Sequence, residues 1–172
     1  MTYKTCIVGM ALALAAVSSA AAQGAGGDQG FVTKIGGVGM GEVELGMLAL
    51  DKATSGDVKK FAQRMIDDHR KAGDELKAIA TRKNFAWPAG PSAEAKALKD
   101  RLSTLSGAAF DRAYIDAMVS GHREVLGVMQ GEAQSGSDAE LKAFATKASS
   151  TVQAHLTHAL DVQREVSKTA TH

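Results

Sequence analysis

The sequence predicts an all-α fold, a bundle of four long helices arranged as two hairpins joined by a long crossover that contains a short helix. Three observations predict it. Apolar residues recur at three- and four-residue spacing over long stretches, only 2 of the 172 residues are proline, and aromatic residues make up 5%. With 45% apolar residues the chain fills one core, and two separately cored domains are not expected. Twenty basic against nineteen acidic residues give a net charge of +1, which lacks the basic footprint of a nucleic-acid binder.

The chain opens with an address. Lys4, an apolar run from Cys6 to Val17 and the small residues Ala20-Ala21-Ala22 read as a secretory signal peptide over residues 1–22. The run is shorter than the roughly 20 residues a membrane-spanning helix needs, so no transmembrane helix is expected in the mature form. Cleavage after Ala22 removes the only cysteine, so the mature fold rests on packing without disulfides. The expected location is exported, either periplasmic or associated with the outer membrane. Residues 23–30, polar and glycine-rich, are expected to be a disordered leader. The bundle domain is placed at residues 31–168.

The first long helix, from Phe31 to Ala53, carries Met40, Val43, Met47 and Leu50 on one face. It also holds Gly36, Gly37, Gly39, Gly41 and Gly46, which together cost about 4–5 kcal/mol of helix propensity against alanine. It is therefore expected to depend on docking and to fray before Met40. The stretch from Asp57 to Lys83 is the clearest helix, striped by Val58, Phe61, Met65, Ile66, Leu76 and Ile79. Trp87-Pro88-Ala89-Gly90-Pro91 then breaks the chain, and Trp87 reads as a lid on the bundle end. Ser92 caps a short helix reaching to about Leu105. Two further stripes follow, one from Phe110 to Met129 and one from Leu141 to Val166. Thr54-Ser55-Gly56 and Ser135-Gly136-Ser137 are turn signals that make each pair of long helices a hairpin. The connector spans on the order of 50 Å, enough to cross a bundle about 40 Å long, so the second and third long helices are expected to run parallel. Ser55–Ala62 and Ser137–Ala145 share a turn, a lysine and a Phe-Ala ending, a weak gapped repeat between the hairpins.

Polar residues that interrupt the apolar faces point to the chemistry. His69 follows Met65 by four, His122 follows Met118 by four, and His155 lies between Val152 and Ala159. Glu44 holds the corresponding place between Met40 and Met47. One inward ionisable group per helix is unusual, because each costs several kcal/mol unless paired. Counted from the turns, the crossover topology gathers the four within about 8 Å of height. Glu44, His69, His122 and His155 are thus the candidate ligands for one transition metal, zinc, copper or iron, with Met65 and Met118 as additional soft donors. The competing reading is a hydrogen-bonded cluster without metal. Asp67-Asp68 reads as a solvated helix face, and Gly37-Val38-Gly39-Met40-Gly41 lacks the preceding strand of a phosphate loop.

Phe31-Val32, Glu42-Val43-Glu44-Leu45-Gly46, Lys60-Phe61-Ala62-Gln63-Arg64-Met65, Asp68-His69, Phe110-Asp111-Arg112-Ala113-Tyr114, Met118 with His122, and Leu141-Lys142-Ala143-Phe144-Ala145 with His155 carry a resemblance over about residues 31–166. They resemble an exported bacterial ferritin-like family, domain of unknown function 4142, whose members often bear an outer-membrane-protein label. The resemblance implies a ferritin-like four-helix bundle and no particular activity. Ferritin-like di-iron enzymes carry Glu-x-x-His on two helices. Here Ile66, Val119 and Val152 stand three before the histidines. A single ion, or none, suits these residues better than a di-iron pair.

The expected function is therefore an exported, non-catalytic bundle of the bacterial envelope that binds one metal in its core and serves envelope or stress physiology. The alternatives are a metal-dependent oxidoreductase of ferritin-like type and a metal-free bundle that binds an envelope protein partner.

Overall fold

The computed structural model describes the backbone of residues 20–168 and side chains from Gly27 onward. The signal-peptide expectation falls almost wholly outside the described residues. Four long helices, α1 (Ala20–Lys52), α2 (Gly56–Lys83), α4 (Gly107–Ser135) and α5 (Ala139–Lys168), enclose one core, and the short α3 (Ala93–Ser103) lies in the connector. Among the described helices none is long and apolar enough to cross a membrane.

The helix ends follow from local chemistry. The Ser55 hydroxyl accepts from the Val58 amide and starts α2, Ser92 does the same for Ala95 and α3, and Asp138 Oδ1 takes the amides of Glu140 and Leu141 at α5. Asn84 stops α2 in the left-handed region, at φ 58°.

Topology is read from two buried carboxylates. Asp111, near the start of α4, accepts from the amides of Thr54 and Ser55 and from the Thr54 hydroxyl at the α1–α2 turn. Asp28, near the start of α1, accepts from the amides of Ser137 and Asp138 at the α4–α5 turn. Each hairpin's first helix thus holds the other hairpin's turn. The two turns lie at opposite ends, α2 and α4 run parallel on a diagonal, and the connector crosses the bundle along α1, as expected. Asp28 and Asp111 are 83 positions apart, and at that spacing Phe31 matches Tyr114, Val32 matches Ile115, Val58 matches Leu141, and Phe61-Ala62 matches Phe144-Ala145. All of these are buried. The internal repeat is therefore ungapped, with Asp138 rather than Ser137 in the place of Ser55.

Two expectations for α1 are corrected. Residues 23–30 are helical rather than a disordered leader, and the helix does not fray before Met40. Tertiary contacts override glycine propensity here. Asp28 is tied to the far turn, the Gln29 side chain bonds both the amide and the carbonyl of Ala86, and Phe31, Val32 and Ile35 are buried. Gly36, Gly41 and Gly46 are close-approach positions. A Cβ on Gly36 would sit 2.8 Å from Pro88 Cγ and one on Gly46 would sit 2.7 Å from Ile66 Cγ1. Trp87 is likewise not over a bundle end, since it rests against the flank of α1 at Gly36.

Because Asp111 is 3% exposed and leaves three donors unmet when removed, Asp111→Ala should cost about 2–4 kcal/mol, read as a lower urea midpoint. Equal midpoints for the variant and the parent would mean that solvent replaces the carboxylate.

The apolar core falls into two clusters. One gathers Leu45, Phe61, Met65, Tyr114, Met118 and Leu156 toward the first turn. The other gathers Phe31, Leu76, Met129, Leu141, Phe144 and Val152 toward the second. The boundary between them is where the histidines lie.

Candidate metal centre

His69 on α2, His122 on α4 and His155 on α5 come together at that boundary, with ring centroids 5.4–6.0 Å apart. One ring nitrogen from each lies within 4.8 Å of the other two. Three nitrogens bound to a single ion at 2.0–2.1 Å stand about 3.3–3.6 Å from one another, so the rings need close by only about an ångström.

The helices also fix which nitrogen faces inward. Side chains on a helix lean toward its N-terminus, so the rings of His69 and His122 reach the carbonyls one turn back. His69 Nδ1 lies 2.9 Å from the Met65 carbonyl oxygen, and His122 Nδ1 lies 2.8 Å from that of Met118. A carbonyl only accepts, so Nδ1 carries the proton in both rings and Nε2 keeps its lone pair. His155 is arranged the other way. Its Nε2 lies 2.7 Å from Asp68 Oδ2 and donates to it, which leaves Nδ1 with the lone pair. His122 Nε2 and His155 Nδ1 are buried with no hydrogen-bond partner among the described residues.

Burial keeps these rings neutral. Desolvation first, then the neighbouring imidazoles, lower the pKa of His69 to about 3. Desolvation lowers His122 to about 4 and also lowers His155, against the pull of Asp68. Burial raises Asp68, but its bonds to His155 and Arg64 outweigh that and hold it below the usual carboxylate range. The His155–Asp68 contact is thus a neutral imidazole donating to a carboxylate, the arrangement that orients metal-binding histidines.

Not every candidate joins the centre. Glu44 is bound to Lys99 at 2.7 Å, on the side of α1 that faces the connector. The buried carboxylate of this part of α1 is Glu42, whose Oε1 would lie 3.9 Å from a Cβ on Gly121 of α4. Desolvation raises its pKa to about 7. Leu45 three residues on and Ala49 seven residues on, both buried, mark the Glu42 face. The Met40–Met47 register does not, because Met47 is 46% exposed. Met65 and Met118 are buried in the core cluster toward the first turn and offer His69 and His122 their backbone carbonyls. Asp68, read from sequence as part of a solvated face, reaches across to α5 instead.

A groove of about 540 Å³ opens beside the histidines. His69 and His155 are on its wall, and Met40, Val43, Leu76, Trp87, Met129 and Val152 supply much of its apolar lining.

The family described as a domain of unknown function, DUF4142, matches residues 13–162. No curated protein matches the chain in sequence. Among solved structures, CopM in its Cu(II)-bound form is similar, at 19% identity and a TM-score of 0.68, over 80% of this chain and 96% of that one. CopM in its Cu(I)-bound form gives 18% identity and a TM-score of 0.68 over the same shares, and the Ag-bound form gives 19% and 0.66.

Proposed function

Since the chain belongs to the DUF4142 family, whose own description leaves function open, its role has to be read from its side chains, and from these we propose a binding protein for one transition-metal ion. His69, His122 and His155 are the ligands of this reading, and Asp68 orients His155. The observation that carries it is the pair of buried, partnerless lone pairs on His122 and His155, aimed into a cluster where His69 presents a third. Buried polar atoms without partners are rare, and a metal is one thing that satisfies them.

Copper is the ion we put first among zinc, copper and iron. Imidazole suits it, and the similar CopM structures are described with Cu(I), Cu(II) and Ag bound. The role is sequestration rather than turnover, because the cluster groups three imidazoles without the bridging carboxylates that two-metal oxidases need. In keeping with the signal-peptide reading of residues 1–22, the protein acts after export, in the envelope.

The test is to isolate the protein from the periplasmic fraction and measure intact mass and metal content. The metal-stripped protein is then titrated with Cu(I), Cu(II) and Zn(II) while the imidazole resonances are followed by NMR. The expected result is a mature chain starting within a residue or two of Gln23 and one equivalent of copper that perturbs all three rings. Binding that leaves the three rings unchanged, or no stoichiometric binding, overturns the reading in favour of a metal-free interaction bundle.

A further inference from the structure

The histidines occupy only one of two related places in the bundle. At the 83-position spacing of the internal repeat, His69 matches Val152, His122 matches Gly39, and His155 matches Ala72. Gly39, Ala72 and Val152 all line the groove beside the centre. The groove is thus the counterpart of the metal centre in the other half of the repeat, with small or apolar side chains where the first half-site has imidazoles. Its wall includes His69 and His155 but not His122, so the cluster opens toward it from one side. α1 contributes no ligand there, because Glu44 is engaged with Lys99.

We propose that this groove is a ligand pocket, and that a metal held by His69, His122 and His155 takes its remaining coordination position from a small neutral nitrogen or sulfur donor seated in it on an aromatic or aliphatic body. The inference rests on the metal-binding reading above. Three protein ligands leave one position of a tetrahedral ion open, as at metal sites that accept an outside ligand. The volume lies in the range of small-molecule sites, which are mostly apolar with few polar groups at one end. Of the acidic groups at the groove, Asp68 is bonded to His155, Glu75 to Lys147 and Glu44 to Lys99; Arg70, Lys71, Asp74 and Lys77 also border it, and Met40, Val43, Leu76, Trp87 and Met129 give an uncharged body its apolar wall.

Imidazole is the probe. The protein loaded with one equivalent of Cu(II) is titrated with imidazole while the visible d–d band and the EPR spectrum are followed, with azide as the anionic comparison. The parent protein should give a saturable spectral shift with imidazole while copper stays bound. Ala72→Leu, which fills the groove, and Val43→Phe, which narrows it from α1, should each weaken imidazole at least tenfold at unchanged copper stoichiometry. A copper spectrum indifferent to imidazole overturns the pocket while leaving the metal reading intact, as does imidazole affinity in both variants equal to that of the parent. A response to azide but not imidazole overturns the neutral class of ligand. Failure to load copper or any other ion overturns both readings together.

Discussion

His122→Leu should lower metal affinity by more than about a hundredfold and leave the metal-free protein as stable as its parent or more so. Loss of a direct ligand exceeds the ten- to hundredfold loss seen when an outer partner is disturbed. The stability half follows from burial. His122 is 3% exposed and its Nε2 has no partner among the described residues, so the folded metal-free chain carries the desolvation of a lone pair, on the order of 1–3 kcal/mol. Leucine fills similar space without a polar atom, and the Met118 carbonyl that loses the Nδ1 donor remains within a helix. Calorimetry in the presence of a chelator and a competitive metal titration read the two halves separately. A variant that loses several kcal/mol without metal would identify the ring as a structural hydrogen-bonding group.

Metal affinity should fall far less than a thousandfold from pH 7.5 down to pH 5. Ligand histidines with the ordinary pKa of 6.5 are about 97% protonated at pH 5, and two of them would weaken binding about a thousandfold over that range. His69 and His122 are held at about 3 and about 4, so at these two rings protons compete with the metal only below about pH 4.5, and burial lowers His155 as well. The sign for folding is consistent. The unfolded chain takes up protons on these rings near pH 6.5 and the folded chain does not, so their contribution to stability is complete above pH 6.5 and is lost as acid is added. Glu42, raised to about 7, works in the opposite sense. It holds a proton in the folded state that the unfolded chain releases down to its ordinary 4.5, so its contribution grows between pH 7 and 4.5. Isothermal titration at pH 5 and pH 7.5 decides the matter, and a thousandfold loss at pH 5 would mean that the rings are solvated.

Where the apolar period was clean, the sequence was enough. The stripes of α2, α4 and α5 name their helices, and His69, His122 and His155 stand out because each interrupts an unambiguous buried face. α1 is different. Apolar and glycine residues fall on every side of it, so no single stripe marks its inner face, and contacts at Gly36, Gly41 and Gly46 decide its rotation. That is why the sequence points Glu44 inward, whereas the fold buries Glu42. Asp68 could not be found from its own helix, since what makes it part of the centre is His155, 87 positions away. The ordered start of α1 was hidden for the same reason. Its glycines argue against a helix locally, and its bonds lie at Ala86 and at the far turn.

The reciprocal hold of Asp28 and Asp111 on the opposite turns also bears on how the chain folds. The bonds of Asp28 close loops of 109 and 110 positions, and those of Asp111 close loops of 56 and 57. Helical bundles built from sequential neighbours fold quickly because their contacts are local. In this chain the turn amides of each hairpin are met by a carboxylate of the other, so the two clasps close loops of about a third and of more than half the sequence, with the entropy that such closures cost. Both turns are therefore completed only when one hairpin docks on the other, and the boundary between the two core clusters, where the imidazole of α2 meets those of α4 and α5, is closed by that same docking.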